Sequence, residues 1–288
     1  MSTFLQLCVS GLGQGVVIGV FGFVLAFLFQ VCKVINVAVG EFAMFGVLAT
    51  VALTAAGVAL PLALLICLVA AVLLALLYDR AVLAPTIRRP SAERILQLFL
   101  LTFALSMVLQ GVALRMFGRD VFALDPFLPG EPLRVGGVVL DRQILIVVGF
   151  VGLFCLVAWL FTRHTLHGKA LTACGINERG ALAVGVSPDG YRRLAMAVSA
   201  GLAVVVGLLV SPVIAFAYNS GFLLAMTGLL AATIAGLRDP VRALLVGLGV
   251  GLLQSLVGGY ISGHYQSVVA LALMTAYVLA KPNVVAAR

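Results

Sequence analysis

A polytopic bundle of membrane-spanning α-helices, all-α in class, is the fold this sequence predicts, and three observations carry the prediction. Of its 288 residues, 63% are hydrophobic and only 10% charged. A soluble domain runs at about 45–50% and about 25%. The apolar residues gather in runs close to the roughly 20 residues that cross a bilayer. The basic residues stand in the short stretches between those runs, where membrane orientation is encoded. A soluble fold could not hide so much apolar surface, whereas hydrocarbon accepts it. The 31 glycines agree, because Gly is more frequent in membrane helices than in soluble ones. By length, residues 1–288 are expected to form one transmembrane domain.

The first apolar run, 11–30, qualifies as a span. Met1–Gln6 lacks the basic start of a secretory signal, so this run is expected to be retained. Residues 42–56 are apolar but short. Residues 58–77, 95–114 and 143–161 qualify, and 194–216 does too, with a break at Ser211-Pro212. Residues 222–237 are short again, and 243–257 and 268–280 complete the set. Eight or nine spans are therefore expected.

Orientation follows from the loops. The 78–94 loop carries Arg80, Arg88, Arg89 and Arg94; the 163–193 loop carries Arg163, Lys169, Arg179, Arg192 and Arg193. Both are expected to be cytoplasmic. The 115–142 loop balances its charges, and alternation places it outside. Nine spans also put the uncharged N-terminus outside, with Arg238, Arg242, Lys281 and Arg288 inside. In the outer loop, Asp125-Pro126 and Pro129-Gly130 signal turns, and 134–138 reads as a short β-hairpin.

A weak repeat is visible. Residues 44–49, Met-Phe-Gly-Val-Leu-Ala, resemble 226–231, Met-Thr-Gly-Leu-Leu-Ala. Asn36 and Gly40 precede the first copy, Asn219 and Gly221 the second. An odd number of spans between them would invert the copies, a plan used by many transporters.

Several chemistries are missing. Gly168-Lys169 is followed by Ala170, with no upstream glycine at phosphate-loop spacing, so ATP is not expected to bind this chain in that way. His164, His167 and His264 and the five cysteines show no metal-ligand spacing. No metal, no cofactor, no catalytic residue and no nucleic-acid partner is expected.

Glu41 is the most informative single residue. A carboxylate beside an apolar run is costly in lipid and marks a cavity, a partner or a helix end. Two readings stand: a favourable charge at the start of a short helix, or the polar elbow of a broken helix on a translocation path. The path would then include Asn36, Gly40, Glu41, Met44, Asn219, Gly221 and Met226. Gly11, Gly15 and Gly19, with Gly247 and Gly251, form GxxxG steps at which membrane helices can approach closely. In 168–186, two Ala- and Leu-rich helical stretches flank Asn177-Glu178-Arg179. So apolar a loop should be covered by something, and two readings stand: a juxtamembrane linker that helps set topology, or a surface that docks on a soluble partner, with Leu171, Cys174, Ala181 and Leu182 as the face it would bury.

Residues 168–186, with the continuation 191–200, resemble the cytoplasmic coupling region of bacterial ABC import permeases, and in particular the branched-chain amino-acid permease family. Residues 36–44 resemble that family's Asn-x-Ala-x-Gly-Glu-x-x-Met element, and Leu279-Ala280-Lys281-Pro282 its basic-Pro close. The resemblance runs from about Gly11 to Pro282. Val39 departs from the family's usual His, and 236–243 from its Pro-Gly-Ala turn.

The resemblance implies a multi-pass permease of the bacterial inner membrane, not an enzyme. It also implies a second related permease, two cytoplasmic ATPase subunits and an extracytoplasmic substrate-binding protein, all working within membrane lipid. Gly168, Lys169, Ala170, Ala173, Asn177, Glu178, Arg179, Ala181 and Gly185 would couple the chain to the ATPase. The cargo would be a branched-chain or other hydrophobic amino acid, with urea, short amides and small carboxylic acids open. The alternative is an ion-coupled secondary transporter, for which Glu41 is the only intramembrane coupling candidate.

Overall fold

A computed structural model describes residues 2–88, 93–127, 133–135, 138–140, 142–237 and 239–280. Arg89, Pro129, Gly130, Arg238, Lys281, Pro282 and Arg288, named above, lie outside them, as does the side chain of Arg179. In chain order the helices are α1 (Ser2–Cys32), α2 (Val39–Ala55), α3 (Leu60–Tyr78), α4 (Ala84–Arg88), α5 (Arg94–Phe117), α6 (Arg142–His164), α7 (Leu166–Ile176), α8 (Glu178–Ala183), α9 (Pro188–Val210), α10 (Ser220–Ile234), α11 (Pro240–Tyr260) and α12 (Gln266–Ala280). A π-helical turn, Asp79–Leu83, joins α3 to α4. The expected hairpin is present as β1 (Leu133–Val135) against β2 (Val138–Leu140), antiparallel, with Val135 opposite Val138.

Each of the nine apolar segments becomes a helix. Among the described residues six helices are long and apolar enough to cross a bilayer, while α2 and α10 are shorter. The chain is a multi-pass membrane protein. The long helices divide by environment. α1 and α9 are buried along most of their length, and α3, α5 and α6 are exposed along most of theirs. Lipid-facing helices need no polar face, so α3 carries Leu62, Leu65, Val69 and Leu73 outward at no cost. One apolar core runs through the bundle, with Phe21, Leu25, Leu28, Met44, Leu48 and Met196 at its centre.

Glycine decides the closest contacts. α1 and α11 cross antiparallel with their GxxxG steps face to face. A Cβ at Gly251 would stand 2.2 Å from the Cα of Gly15, and one at Gly247 2.2 Å from the Cα of Gly19. Those steps are a packing face. Ser255 Oγ ties the same seam by donating to the Leu7 carbonyl at 2.7 Å.

The repeat is structural as well. α2 packs on α9 as α10 packs on α1, and α2 meets α3 as α10 meets α11. Gly46 faces Val204, and Gly228 faces Gly22. The residue offset that carries Gly46 to Gly228 also carries Gly22 to Val204 and Met44 to Met226. The two halves thus share a packing pattern at these positions.

Both ends of the bundle are tied down. At the hairpin end, the Gln6 side chain accepts from Val139 N at 2.7 Å and donates to Val139 O at 3.0 Å. There Phe122 and Phe216 exchange backbone hydrogen bonds, and Ser211 Oγ accepts from Leu124 N at 3.0 Å. At the other end, α7 rests on the last turn of α1, where a Cβ at Gly175 would meet the Gln30 carbonyl oxygen at 2.1 Å.

Candidate translocation and coupling sites

The two short helices begin at the same point. The first turns of α2 and α10 touch through backbone, and a Cβ at Gly40 would stand 1.9 Å from the Gly221 carbonyl oxygen. Glu41 sits in this junction and is fully buried. Its Oε1 accepts from Ser106 Oγ at 2.8 Å and from Gln110 Nε2 at 2.9 Å. Both donors lie midway along α5, so the junction lies near the middle of the spanning helices. Oε2 has no hydrogen-bond partner among the described residues and faces Gly221. The first turn of α2 carries the helix's positive end, which favours a carboxylate there. Glu41 also does more than sit on a dipole, because it binds α5 to the meeting point of two helix N-termini.

The other path residues separate into two groups. Asn36 is buried just before α2, where its Oδ1 accepts from Ala38 N at 3.0 Å and its Nδ2 points to Met196 Sδ at 3.7 Å. This turn redirects the chain from α1 into α2, while Thr102 Oγ1 donates to the Ile35 carbonyl at 2.9 Å. Asn219 is exposed at the start of α10, next to Ser220, whose Oγ accepts from Ala217 N at 2.9 Å. Met44 belongs to the central core and Met226 is half-buried. Ser106 and Gln110 escaped the sequence reading. With Thr102 they recur every fourth residue through the mainly apolar middle of α5, a polar stripe that marks one face of the helix.

At the end opposite the hairpin, α7 and α8 form the expected pair of short helices. Asn177 is the N-cap of α8, with Oδ1 accepting from Gly180 N at 3.0 Å, and Thr165 caps α7 through Gly168 N at 3.0 Å. Gly168 packs on the end of α6, and Gly185 closes α8 at φ +81°. Lys169, Ala173, Asn177 and Glu178 are exposed, and Ala170 is half-buried.

The face expected to dock needs correction. Leu171, Cys174 and Ala181 are turned inward and buried in the chain itself, where burial raises the pKa of the Cys174 thiol. The apolar side chains left outside are Leu166, Ile176, Leu182 and Val184, between 58% and 84% exposed. A cleft of about 390 Å³ opens beside them, lined by Lys33, Arg94, Asn177, Glu178 and Arg192 among others.

Behind that cleft lies an ion cluster the sequence reading did not assemble. Asp79, fully buried at the start of the π-helical turn, accepts from Arg192 Nε at 2.8 Å and from Nη2 at 3.3 Å. Arg192 also pairs with Asp189, which Arg88 reaches at 3.1 Å. The cluster joins the ends of α3 and α9.

The family model for "branched-chain amino acid transport system / permease component" matches residues 7–278. The high-affinity branched-chain amino acid transport system permease protein LivH of Escherichia coli K12 is 27% identical over 149 residues, 49% of this chain and 46% of that protein. The chain thus spans about half the length of that relative. The corresponding protein BraD of Pseudomonas aeruginosa is 25% identical over 298 residues, 97% of this chain and 94% of that protein. Among solved structures, PsaBC from Streptococcus pneumoniae in complex with Fab is similar in fold, with a TM-score of 0.51 at 16% identity, over 96% of this chain and 91% of that one.

Proposed function

The chain belongs to the branched-chain amino acid transport system permease component family, and from that premise we propose that it is the membrane-spanning permease subunit of an ATP-binding-cassette importer in a bacterial cytoplasmic membrane. It works with a second related permease, two ATPase subunits and an extracytoplasmic binding protein. The cargo is a branched-chain or similar hydrophobic amino acid. The α7–α8 end is cytoplasmic and the hairpin end extracytoplasmic, as the excess of Arg and Lys in 163–193 requires. ATP is hydrolysed by the partner subunits.

The observation that carries this reading is the α7–α8 pair. One of its faces is seated on the bundle and the other presents Leu166, Ile176, Leu182 and Val184 to solvent. An exposed apolar patch rimmed by polar side chains marks a protein interaction site. Motion of a docked ATPase would pass through Gly175 and Gln30 into α1, and so toward the junction. Coupling of that kind needs contiguous contact.

The test is a charge at the docking surface. Ala173→Glu and Ile176→Glu are expected to lose ATPase co-purification and ligand-stimulated ATP hydrolysis at least tenfold, since burying an unpaired charge costs several kcal/mol. The membrane fold should persist, because both positions lie outside the bilayer. Unchanged hydrolysis and recovery in both variants would leave 163–193 as a linker and remove the main support for the reading.

The α2–α10 junction is the proposed element of the path. Glu41→Gln keeps the shape and an acceptor for Ser106 and Gln110 but removes the charge. We expect amino-acid uptake to fall about tenfold, equivalent to about 1.4 kcal/mol, with complex yield unchanged. Full uptake by Glu41→Ala would exclude the junction from the path.

A further inference from the structure

The cytoplasmic half of α6 stands off the bundle. Two grooves, of about 350 and 500 Å³, flank it and share Phe27, Ala158, Thr162 and Leu171 in their walls. The larger is lined almost wholly by apolar side chains, Phe154, Val157 and Val198 among them. The smaller changes character along its length. Phe23 and Cys155 line its deep part, and Gln30, Thr172 and Arg163 its cytoplasmic part.

The outer face of α6 exposes Leu153, Leu156, Val157 and Leu160, so the grooves open toward hydrocarbon rather than water. Water has no partners on such walls, while an acyl chain does. Arg163 sits where an interfacial cation belongs, its guanidinium carbon 5.3 Å from the centroid of the Trp159 ring. Tryptophan at this level is an interface anchor. Among the described residues no carboxylate lies within ion-pair distance of Arg163. An apolar slot ending at an uncompensated cation matches a lipid with a negative headgroup, and basic pockets between spanning helices on the cytoplasmic side bind such headgroups.

We propose that an anionic phospholipid of the surrounding membrane occupies the smaller groove, one acyl chain along Phe23 and Ala158 and its phosphate on Arg163. The proposal takes only the orientation from the functional reading, and lipid retention is measured without reference to transport or ATPase binding.

The test uses the assembled transporter purified in mild detergent, with bound lipid read by native mass spectrometry. After delipidation, phosphatidylglycerol and phosphatidylcholine are added back. The wild type should take up phosphatidylglycerol in preference to phosphatidylcholine. Arg163→Ala, at an exposed position, should weaken that uptake about fivefold, the effect of one basic side chain near an anionic surface. Ala158→Trp, which fills the groove, should abolish retention of both lipids. Equal uptake of the two lipids by the wild type, or wild-type uptake by Arg163→Ala, would overturn the proposal. So would a cross-link from Ala158→Cys to the second permease, which would show a protein helix in the groove.

Discussion

Replacing Arg192 with leucine is expected to destabilise the chain by about 3–5 kcal/mol, because it strands a fully buried carboxylate. Asp79 takes both of its Arg192 hydrogen bonds out of reach of water, at the start of the π-helical turn. Removing the guanidinium leaves that charge with no solvent and no partner. Asp189 suffers less, because it is partly exposed and keeps Arg88 at 3.1 Å, an exposed contact worth at most about 1 kcal/mol. An apparent unfolding temperature lower by on the order of 10 °C should result, measurable by the loss of monodisperse protein after heating in detergent. The double substitution Asp79→Leu with Arg192→Leu should recover most of the loss, since apolar replacement of a whole buried pair is often neutral or better. If Arg192→Leu is as heat-resistant as the wild type, the pair does not hold α3 to α9.

That pair also shows where sequence reading stops. Asp79 and Arg192 are 113 residues apart. Each stands in a short charged stretch at the end of an apolar run, where Arg192 counts toward orientation and Asp79 carries no signal of its own. Nothing local distinguishes a charge that ends a span from one that is buried and paired. The apolar segments themselves were legible, because lipid demands runs of apolar residues; all nine become helices, and among the described residues six of these are long and apolar enough to cross a bilayer. The hairpin was legible from Gly136-Gly137 between two short stretches rich in valine, and the GxxxG steps from their spacing.

The docking face of α7–α8 was not legible, for a different reason. Both faces of α7 are apolar, with Leu171 and Cys174 on one and Leu166 and Ile176 on the other. Periodicity therefore could not say which face the bundle claims. Glu41 stands out in the sequence as a charge in an apolar setting, and it is fully buried. Its partners on α5 leave only a polar side chain at every fourth residue, Thr102, Ser106 and Gln110, and the contact that defines its site is made by glycine backbone. Backbone contacts leave no side-chain pattern to read.

A graded series of glycine substitutions isolates that contact. In a helix, Gly→Ala normally gains about 0.5–1 kcal/mol by restricting the unfolded chain. At Gly149 a Cβ would meet nothing within 4 Å, so Gly149→Ala should be neutral or slightly stabilising. At Gly46 the nearest atom is Val204 Cγ1 at 2.8 Å. The three nearest atoms all belong to Val204, a stiff β-branched side chain buried in the core, so α9 must give way slightly and Gly46→Ala should cost about 1–3 kcal/mol. At Gly40 a Cβ would lie 1.9 Å from the Gly221 carbonyl oxygen and 2.8 Å from its carbonyl carbon. Backbone at the first turn of a packed helix cannot step aside alone, so α2 and α10 must part. Parting them pulls Glu41 away from Ser106 and Gln110, since all three share the junction. Overpacking costs about 1–3 kcal/mol even where side chains can adjust, so Gly40→Ala should exceed that range, with little folded protein recovered and no uptake from what remains. Heat resistance and amino-acid uptake, measured across the three variants, should fall in the order Gly149→Ala, Gly46→Ala, Gly40→Ala. Recovery and uptake of Gly40→Ala equal to those of Gly149→Ala would mean that the two short helices do not meet at Gly40 and Gly221, and the site built on Glu41 would go with them.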